Sequence, residues 1–253
     1  MAVFVKRRHD APRGFFEVEA AGLRWLAVPG GVPVAEPVDV SPSHLSTTRL
    51  EAAAPTGAAA EEFGRRLAVT HDAGARHFGV PPDGWDVDGY IGDAALPHAL
   101  DPVKSWGEFY ANLRLQPYLR AAYNQGTLDS HQLQVFEKVC VRLEAGAYDD
   151  PSEPPSRIHG DLWSGNVMWC PEGVHLIDPA AHGGHRETDL AMLGLFGLPE
   201  LDRVLRAYDE AHPLAAEWRH RVGLHRLHPL LVHVVLFGGG YVAQALAAAR
   251  SYS

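Results

Sequence analysis

Cysteine is nearly absent. Cys140 and Cys170 are the two in 253 residues, and neither stands in a C-x-x-C pair. That argues against a disulfide framework or a cysteine zinc site and favours a reducing, cytoplasmic setting. Long apolar runs are missing as well. No stretch reaches the roughly 18 apolar residues of a membrane span, and histidines interrupt or flank the closest one, "LHPLLVHVVLFGGGYV". The apolar run in "MAVFVKRRHD" is too short for a signal-peptide core. Positive charge is in deficit: 22 Lys and Arg against 31 Asp and Glu give −9. Neither nucleic acid nor an anionic membrane is expected as the main partner, because phosphate surfaces call for a basic face. A small phosphorylated ligand, held by a few local cations and a metal, stays compatible. The 15 histidines include no H-E-x-x-H, and "HRLHPLLVH" fits no standard ligand spacing. No G-x-G-x-x-G or Walker pattern occurs.

What is there is a globular composition, 46% hydrophobic and 21% charged, long enough for one large domain or two small ones. Ala2 to Arg7 alternates and reads as a strand; Phe15 to Ala27 has helical spacing and is stopped by Pro29, Gly30, Gly31 and Pro33. Two short strands are expected at Val34 to Val40 and Leu45 to Leu50, before a seam at "EAAAPTG". Gly57 to Ala73 reads as a helix, and residues 74–101, rich in Gly, Pro and Asp, as a long loop of the functional kind. Ser105 to Arg120 and Asp129 to Glu144 read as helices. "NVMWC-PEG-VHLID" reads as a hairpin, and the chain from Glu187 onward as mostly helical with breaks near Gly197 and Pro213. The expected class is α+β, with an N-terminal lobe over residues 1–52 and a mostly helical lobe over residues 53–253.

The stretch "RIHGDLWSGNVMW" carries the chemistry. Asp161 and Asn166 are five apart on one loop, and the hairpin should return Asp178 beside Asn166. An amide oxygen and carboxylates converging there suit Mg²⁺ with room for phosphate oxygens. D-x-x-x-x-N, a hairpin and a second Asp match the template for phosphoryl transfer, in which the first Asp orients the attacking hydroxyl and the other two hold metal. Position and charge neutralisation supply most of that catalysis. The same template asks for a strand Lys paired to a Glu on the next helix. Lys6 is on the first strand, and Glu17 and Glu19 on the helix cannot share a face, so one of the two should point at Lys6.

"HGDLWSGN" with "LIDPAAHGGHRETDLAML" resembles the fructosamine (ketosamine) kinases, relatives of the aminoglycoside phosphotransferases with a protein-kinase-like two-lobed fold. "FVKRR", "FFEVEAAGLRWL", "GYIG", "WGEFYANLRLQPYL" and "HPLLVHVVLFGGGYV" extend the likeness over nearly the whole chain. The resemblance implies ATP-dependent phosphorylation of a sugar hydroxyl on a ketosamine, the 3-hydroxyl in fructosamines, and a link to protein deglycation. It implies Asp161 as catalytic base, His159 as support of its loop, and Asn166 and Asp178 as Mg²⁺ ligands. Lys6 would meet the α/β phosphates of ATP and Glu19 would anchor it. Thr48, Arg49, Leu50 and Glu51 would form the adenine hinge. Trp163 and the stretch Gly183, Gly184, His185, Arg186, Glu187 would lie near the sugar-amine. Asp189 would brace the catalytic loop, and acids of the Asp83 to Asp101 loop, Asp93 among them, would suit a cationic amine.

The family normally begins with two strands and a phosphate-covering loop before the lysine strand. With Met1 five residues before Lys6, the expectation is a truncated N-terminal β-lobe, a missing beginning rather than an evolved loss, with the first strand as an exposed edge. The residues alone also leave open a kinase for aminoglycosides or other amino sugars, or a weakly active pseudokinase that binds a sugar-amine or a protein partner. Oligomeric state is not legible.

Overall fold

A computed structural model of the chain describes residues 2–253. Strand β1 (Val3–Arg7) is followed by helix α1 (Phe15–Leu26), then β2 (Pro37–Ser41) and β3 (His44–Thr48). The three strands form an antiparallel sheet in the order β1-β3-β2, with Lys6 opposite Leu45 and a register shift between Pro37 and Asp39. The expected strand from Val34 is split. Val34 bridges in parallel to Leu176, Ala35 N–H donates to the Leu176 carbonyl at 3.0 Å, and the regular strand starts only at Pro37. β1 is an edge among the described residues, with Val3, Phe4 and Val5 exposed.

Helix α2 (Gly57–Asp72) starts at Thr56, whose hydroxyl accepts from Ala59 N–H, the usual repair of an unpaired first-turn donor. Residues 74–101 are not a structureless loop. They contain a hairpin, β4 (Gly89–Ile91) and β5 (Ala94–Leu96), turned by Gly92 and Asp93. The expected helix near Ser105 runs as α3 (Trp106–Phe109), a π-helical segment over Tyr110–Leu115, and α4 (Gln116–Asn124). Pro117 has no N–H to offer the Leu113 carbonyl; the Arg114 guanidinium donates to that carbonyl instead, at 3.0 Å. A π turn beside a proline is the physical result. Helix α5 (Ser130–Glu144) opens with a reciprocal cap between Asp129 and Gln132.

Two three-residue strands missed by the periodicity, β6 (Ser156–Ile158) and β9 (His182–Gly184), pair with each other. Between them lies the expected hairpin, β7 (Val167–Cys170) and β8 (Gly173–Leu176). Helices α6 (Arg186–Leu193), α7 (Leu201–Ala211), α8 (Trp218–His225), α9 (Leu227–Phe237) and α10 (Val242–Arg250) complete the chain. None of these helices is long and apolar enough to cross a membrane, among the described residues.

The core has two parts. One joins α1, α2, the β7–β8 hairpin and α7 through Phe16, Leu23, Phe63, Leu67, Leu176 and Tyr208. The other is helical, around Tyr110, Phe136, Leu143 and Leu231. The Asp161 loop, residues 159–166, lies between β6 and β7, and Leu162 is buried in the first part.

Candidate active site

The hairpin β7–β8 does what its sequence pattern requires. Val167 pairs with Leu176, and Ile177 N–H donates to the Asn166 carbonyl at 3.2 Å, so Asp178 comes to rest beside Asn166. Asp178 takes a left-handed backbone, φ 56°, a conformation that Asp tolerates better than most residues. Asn166 Nδ2 donates to the Asp161 carbonyl at 2.8 Å and to Asp161 Oδ2 at 3.0 Å. The carbonyl can only accept, so the amide nitrogen must face Asp161 and Oδ1 is turned away. Among the described residues no protein donor reaches that oxygen. A free amide oxygen beside the Asp178 carboxylate fits a hard cation.

Lys6 closes the arrangement from the other side. Its ammonium donates to Glu19 Oε1 at 2.7 Å and also to Asp178. Of the two candidate glutamates, α1 therefore directs Glu19 to the lysine. Glu17 keeps one buried oxygen without a partner among the described residues. Burial pulls the Lys6 ammonium down, but Glu19 and Asp178 more than offset it and hold it above its ordinary value. Burial pushes Glu19 up, and Lys6 only partly opposes this. The strongest perturbation is at Asp161. Burial, opposed by the Asn166 hydrogen bond and reinforced by Asp178 and Asp189, pushes its carboxyl up to about 7. A carboxylate poised near neutral pH is suited to taking a proton.

Lys6, Glu19, Asp161, Trp163, Asn166 and Asp178 line one cavity of about 350 Å³. Tyr90, Ile91 and Gly92 of the β4–β5 hairpin line it too, and Phe15 and Val18 of α1 supply an apolar wall. The segment was expected at the site as an acidic loop, not as a hairpin. It is clasped from both sides: Arg8, just after β1, donates to Asp93 Oδ1 at 2.5 Å, the Phe15 and Tyr90 rings stand 5.3 Å apart, and Tyr118 donates to the Ala95 carbonyl at 2.7 Å. Asp93, expected to attract a cationic amine, is thus engaged by Arg8. Exposed ion pairs contribute little to global stability, so Arg8→Ala is expected to leave the unfolding midpoint nearly unchanged. It should nevertheless speed amide exchange across residues 89–96 several-fold. Exchange there equal to that of the native chain would show that the pair holds nothing.

His159 supports rather than enters the cavity. Its Nε2–H donates to the Ile177 carbonyl at 2.9 Å and its Nδ1 accepts from Asp161 N–H at 3.2 Å, joining the loop to the strand before Asp178. Asp189 on α6 is fully buried and accepts from the backbone N–H groups of His159 (2.7 Å) and Gly160 (2.9 Å), and from His71 Nε2 (3.2 Å). Gly160 has φ 80°, and a side chain there would collide with the Ala180 carbonyl. Gly165 lies directly beneath the Trp163 indole, where a Cβ would overlap the ring. That contact accounts for the Trp-Ser-Gly order within the loop.

Other expected residues lie elsewhere. Thr48 ends β3, Arg49 N–H donates to the Ala2 carbonyl at 3.1 Å, and Leu50 and Glu51 belong to no strand; none of the four lines the cavity. His185, Arg186 and Glu187, expected near the sugar-amine, are buried away from it. Every residue of α6 is buried, so its polar side chains must pair internally. Arg186 donates twice to Glu153, at 2.7 and 2.6 Å, and to the carbonyls of His212 and Pro213. Glu187 accepts two bonds from Arg221, at 2.9 and 2.5 Å. Burial would raise Glu187, but His225 and Arg221 hold it at about 2. Gly183 and Gly184 are spent in β9, pairing with Arg157 and Ser156.

Comparison with known proteins bears on this geometry. The model of the family described as fructosamine kinase matches residues 1–252. A probable ketoamine kinase of Synechocystis is 32% identical over 249 residues, 96% of this chain and 80% of that protein. The chloroplastic protein-ribulosamine 3-kinase of Arabidopsis thaliana is 31% identical over 266 residues, 98% of this chain and 75% of that protein. A crystal structure assigned as a fructosamine-3-kinase of Thermobifida fusca superposes with a TM-score of 0.91 at 49% identity, covering 99% of this chain and 85% of that one. The gentamicin complex of APH(2")-IIa, at 10% identity and a TM-score of 0.61, shares the fold. The α+β architecture is accordingly that of the protein-kinase-like phosphotransferases, and the chain belongs to the fructosamine kinase family.

Proposed function

We propose that this enzyme transfers the γ-phosphoryl group of ATP to a hydroxyl, the 3-hydroxyl in fructosamines, on the sugar of a ketosamine. Family membership implies a nucleotide and a divalent metal; ATP and Mg²⁺ are the specific members proposed here. The observation that carries the reading is the meeting of Lys6, Glu19 and Asp178 with Asp161 and Asn166 in one cavity. Asp161 accepts the proton of the attacking hydroxyl and aligns its oxygen. Asn166 Oδ1 and the Asp178 carboxylate hold Mg²⁺. When bound, the metal supplies charge neutralisation at the phosphates. Lys6 releases Asp178 in part and meets the α/β phosphates while Glu19 keeps it in place. Leu50 and Glu51, outside any strand, offer backbone groups to adenine as the hinge between lobes of residues 1–52 and 53–253. Trp163, about 38% exposed, presents its indole to the sugar.

The cysteines, both unpaired and buried, agree with a reducing cytoplasmic setting. The test is a phosphorylation assay on fructosyl- and ribulosyl-amines beside free aminoglycosides, with the phosphate placed on the product by NMR. Phosphate on the sugar of the ketosamines is the expected result. Turnover confined to aminoglycosides would replace this reading with the amino-sugar one.

A further inference from the structure

Three of the five exposed large aromatic side chains among the described residues belong to one run of neighbouring rings, linked through His233, that starts at Trp163 on the cavity lining. They are Trp163, Phe196 and Phe237, at 38%, 39% and 68% exposure. They come from the catalytic loop, the segment after α6 and the end of α9. The Trp163 and Phe196 rings meet edge to face at 6.0 Å. His233 stands 5.0 Å from Phe196, 5.3 Å from Phe237 and 4.9 Å from Tyr241. The result is a continuous shelf leading outward from Trp163, which itself lines the cavity.

The local sequence builds this shelf. His233 and Phe237 are four apart and share one face of α9. Nδ1–H of His233 donates to the Pro229 carbonyl at 2.7 Å. The carbonyl can only accept, so the proton is on Nδ1 and a neutral ring keeps Nε2 as an acceptor. Gly238, at φ 83°, ends the helix, and a short 3₁₀ turn over Gly239–Tyr241 folds Tyr241 back onto His233. A Cβ on Gly238, Gly239 or Gly240 would touch nothing within 4 Å. The rim there is low and open, and no packing demand explains so many exposed rings in one place. Adjacent exposed rings on a soluble surface mark a binding site more often than chance burial defects.

We propose that this shelf holds the substituent on the nitrogen of the ketosamine, and that it favours amines carrying aromatic or large apolar groups. The inference rests on the ketosamine reading above and extends it from the sugar to the amine. With the reacting hydroxyl at Asp161, the sugar occupies the cavity and its nitrogen points towards the opening that Trp163 borders. The substituent then continues over Phe196, His233 and Phe237. Ring faces attract the secondary ammonium, and offset or edge contacts hold an aromatic group. The shelf is continuous with the catalytic cavity through Trp163, and that continuity identifies the occupant.

The experiment compares two adducts of one sugar, fructosyl-phenylalaninamide and fructosyl-glycinamide, on the native chain, Phe237→Ala and Phe196→Ala. Calorimetric Kd without nucleotide and kcat/KM with ATP are both read. The native chain is expected to bind the aromatic adduct about 5- to 10-fold tighter, with each Ala variant cutting that ratio about 2- to 10-fold. Phe237 is mostly exposed, so its truncation removes little packing. Equal affinities on the native chain, or a preference untouched in both variants, overturns the shelf. Phosphorylation of both adducts with no preference sinks the shelf and leaves the kinase reading intact. Preferential binding without turnover of either adduct sinks the kinase reading and leaves the shelf. Failure of both adducts to bind overturns the two together.

Discussion

Asp161→Asn is expected to remove most of the turnover and, at pH 8, to make the fold more stable. The first effect follows from the proposed role. Removing a positioned base costs about 10²–10⁴ in rate, and kcat/KM of the native chain should rise through about pH 7, where Asp161 loses its proton. The second follows from the same perturbation. A buried carboxyl whose folded value is raised keeps its proton while the unfolded chain has already given its proton up. Native stability therefore falls as pH climbs from about 4 to about 7, and the penalty is constant above that. A rise from 3.8 to about 7 corresponds to at most about 4 kcal/mol. The Asn variant escapes that penalty while still accepting from Asn166. Urea unfolding of both proteins in metal-free buffer at pH 4 and pH 8 checks it. The two should coincide near pH 4, and the variant should be the more stable at pH 8. A variant no more stable at pH 8 would mean that the Asp161 carboxylate is comfortable in its site and carries no stored cost.

The same residue shows what was legible in advance and what was not. The catalytic loop, the hairpin and the return of Asp178 could be read because each rests on local chemistry. Pro171, Glu172 and Gly173 end one strand and start the next, and strand pairing then fixes the neighbours of Asn166. Helix geometry alone narrows the Lys6 partner to two glutamates; the family resemblance singles out Glu19, and the packing of α1 brings Glu19 to the lysine. The β4–β5 hairpin over the cavity left a faint trace. Gly92 and Asp93 form a recognisable turn pair, but strands of three residues carry too little alternation to stand out in a segment rich in Gly, Pro and Asp. The internal pairing of His185 to Glu187 was not legible either. The resemblance sets this stretch near the sugar-amine, whereas Arg186 and Glu187 are paired internally with Glu153 and Arg221, more than 30 residues away in each direction. Burial of a charge depends on a partner, and a partner at that distance leaves no mark on local periodicity. The shelf of rings at Trp163 was hidden likewise, since its members come from three separate segments.

Asp189→Ala is expected to cause the largest loss of stability of any single change around the site, about 3–5 kcal/mol. Asp189 is completely buried, and three donors converge on its carboxylate: His159 N–H, Gly160 N–H and His71 Nε2–H. His71 is on α2, and its Nδ1 is in turn 2.8 Å from the Tyr208 hydroxyl on α7. One carboxylate thereby ties the catalytic loop to two helices of the surrounding core. Burial alone would raise Asp189, but His71, His159 and the Gly160 amide outweigh it and hold the carboxyl below its ordinary value. The sign is opposite to that at Asp161. This group contributes stability above about pH 4, its unfolded value, and loses it as pH falls through the lower folded value. Truncation to Ala leaves two backbone N–H groups and the His71 Nε2–H buried without their acceptor. Asp189→Asn keeps one accepting oxygen and should cost less, about 1–3 kcal/mol. Denaturant unfolding at pH 7 ranks the three proteins. Amide exchange separates a local tether from a general one: the His159 and Gly160 amides should lose protection beyond the global decrease in the Ala variant. Protection at those two amides falling only in step with the rest of the core would mean that other contacts hold the loop in place. If the tether is real, kcat should fall in both variants even under conditions where they remain fully folded, because Asp161 follows Gly160 directly and takes its direction from it.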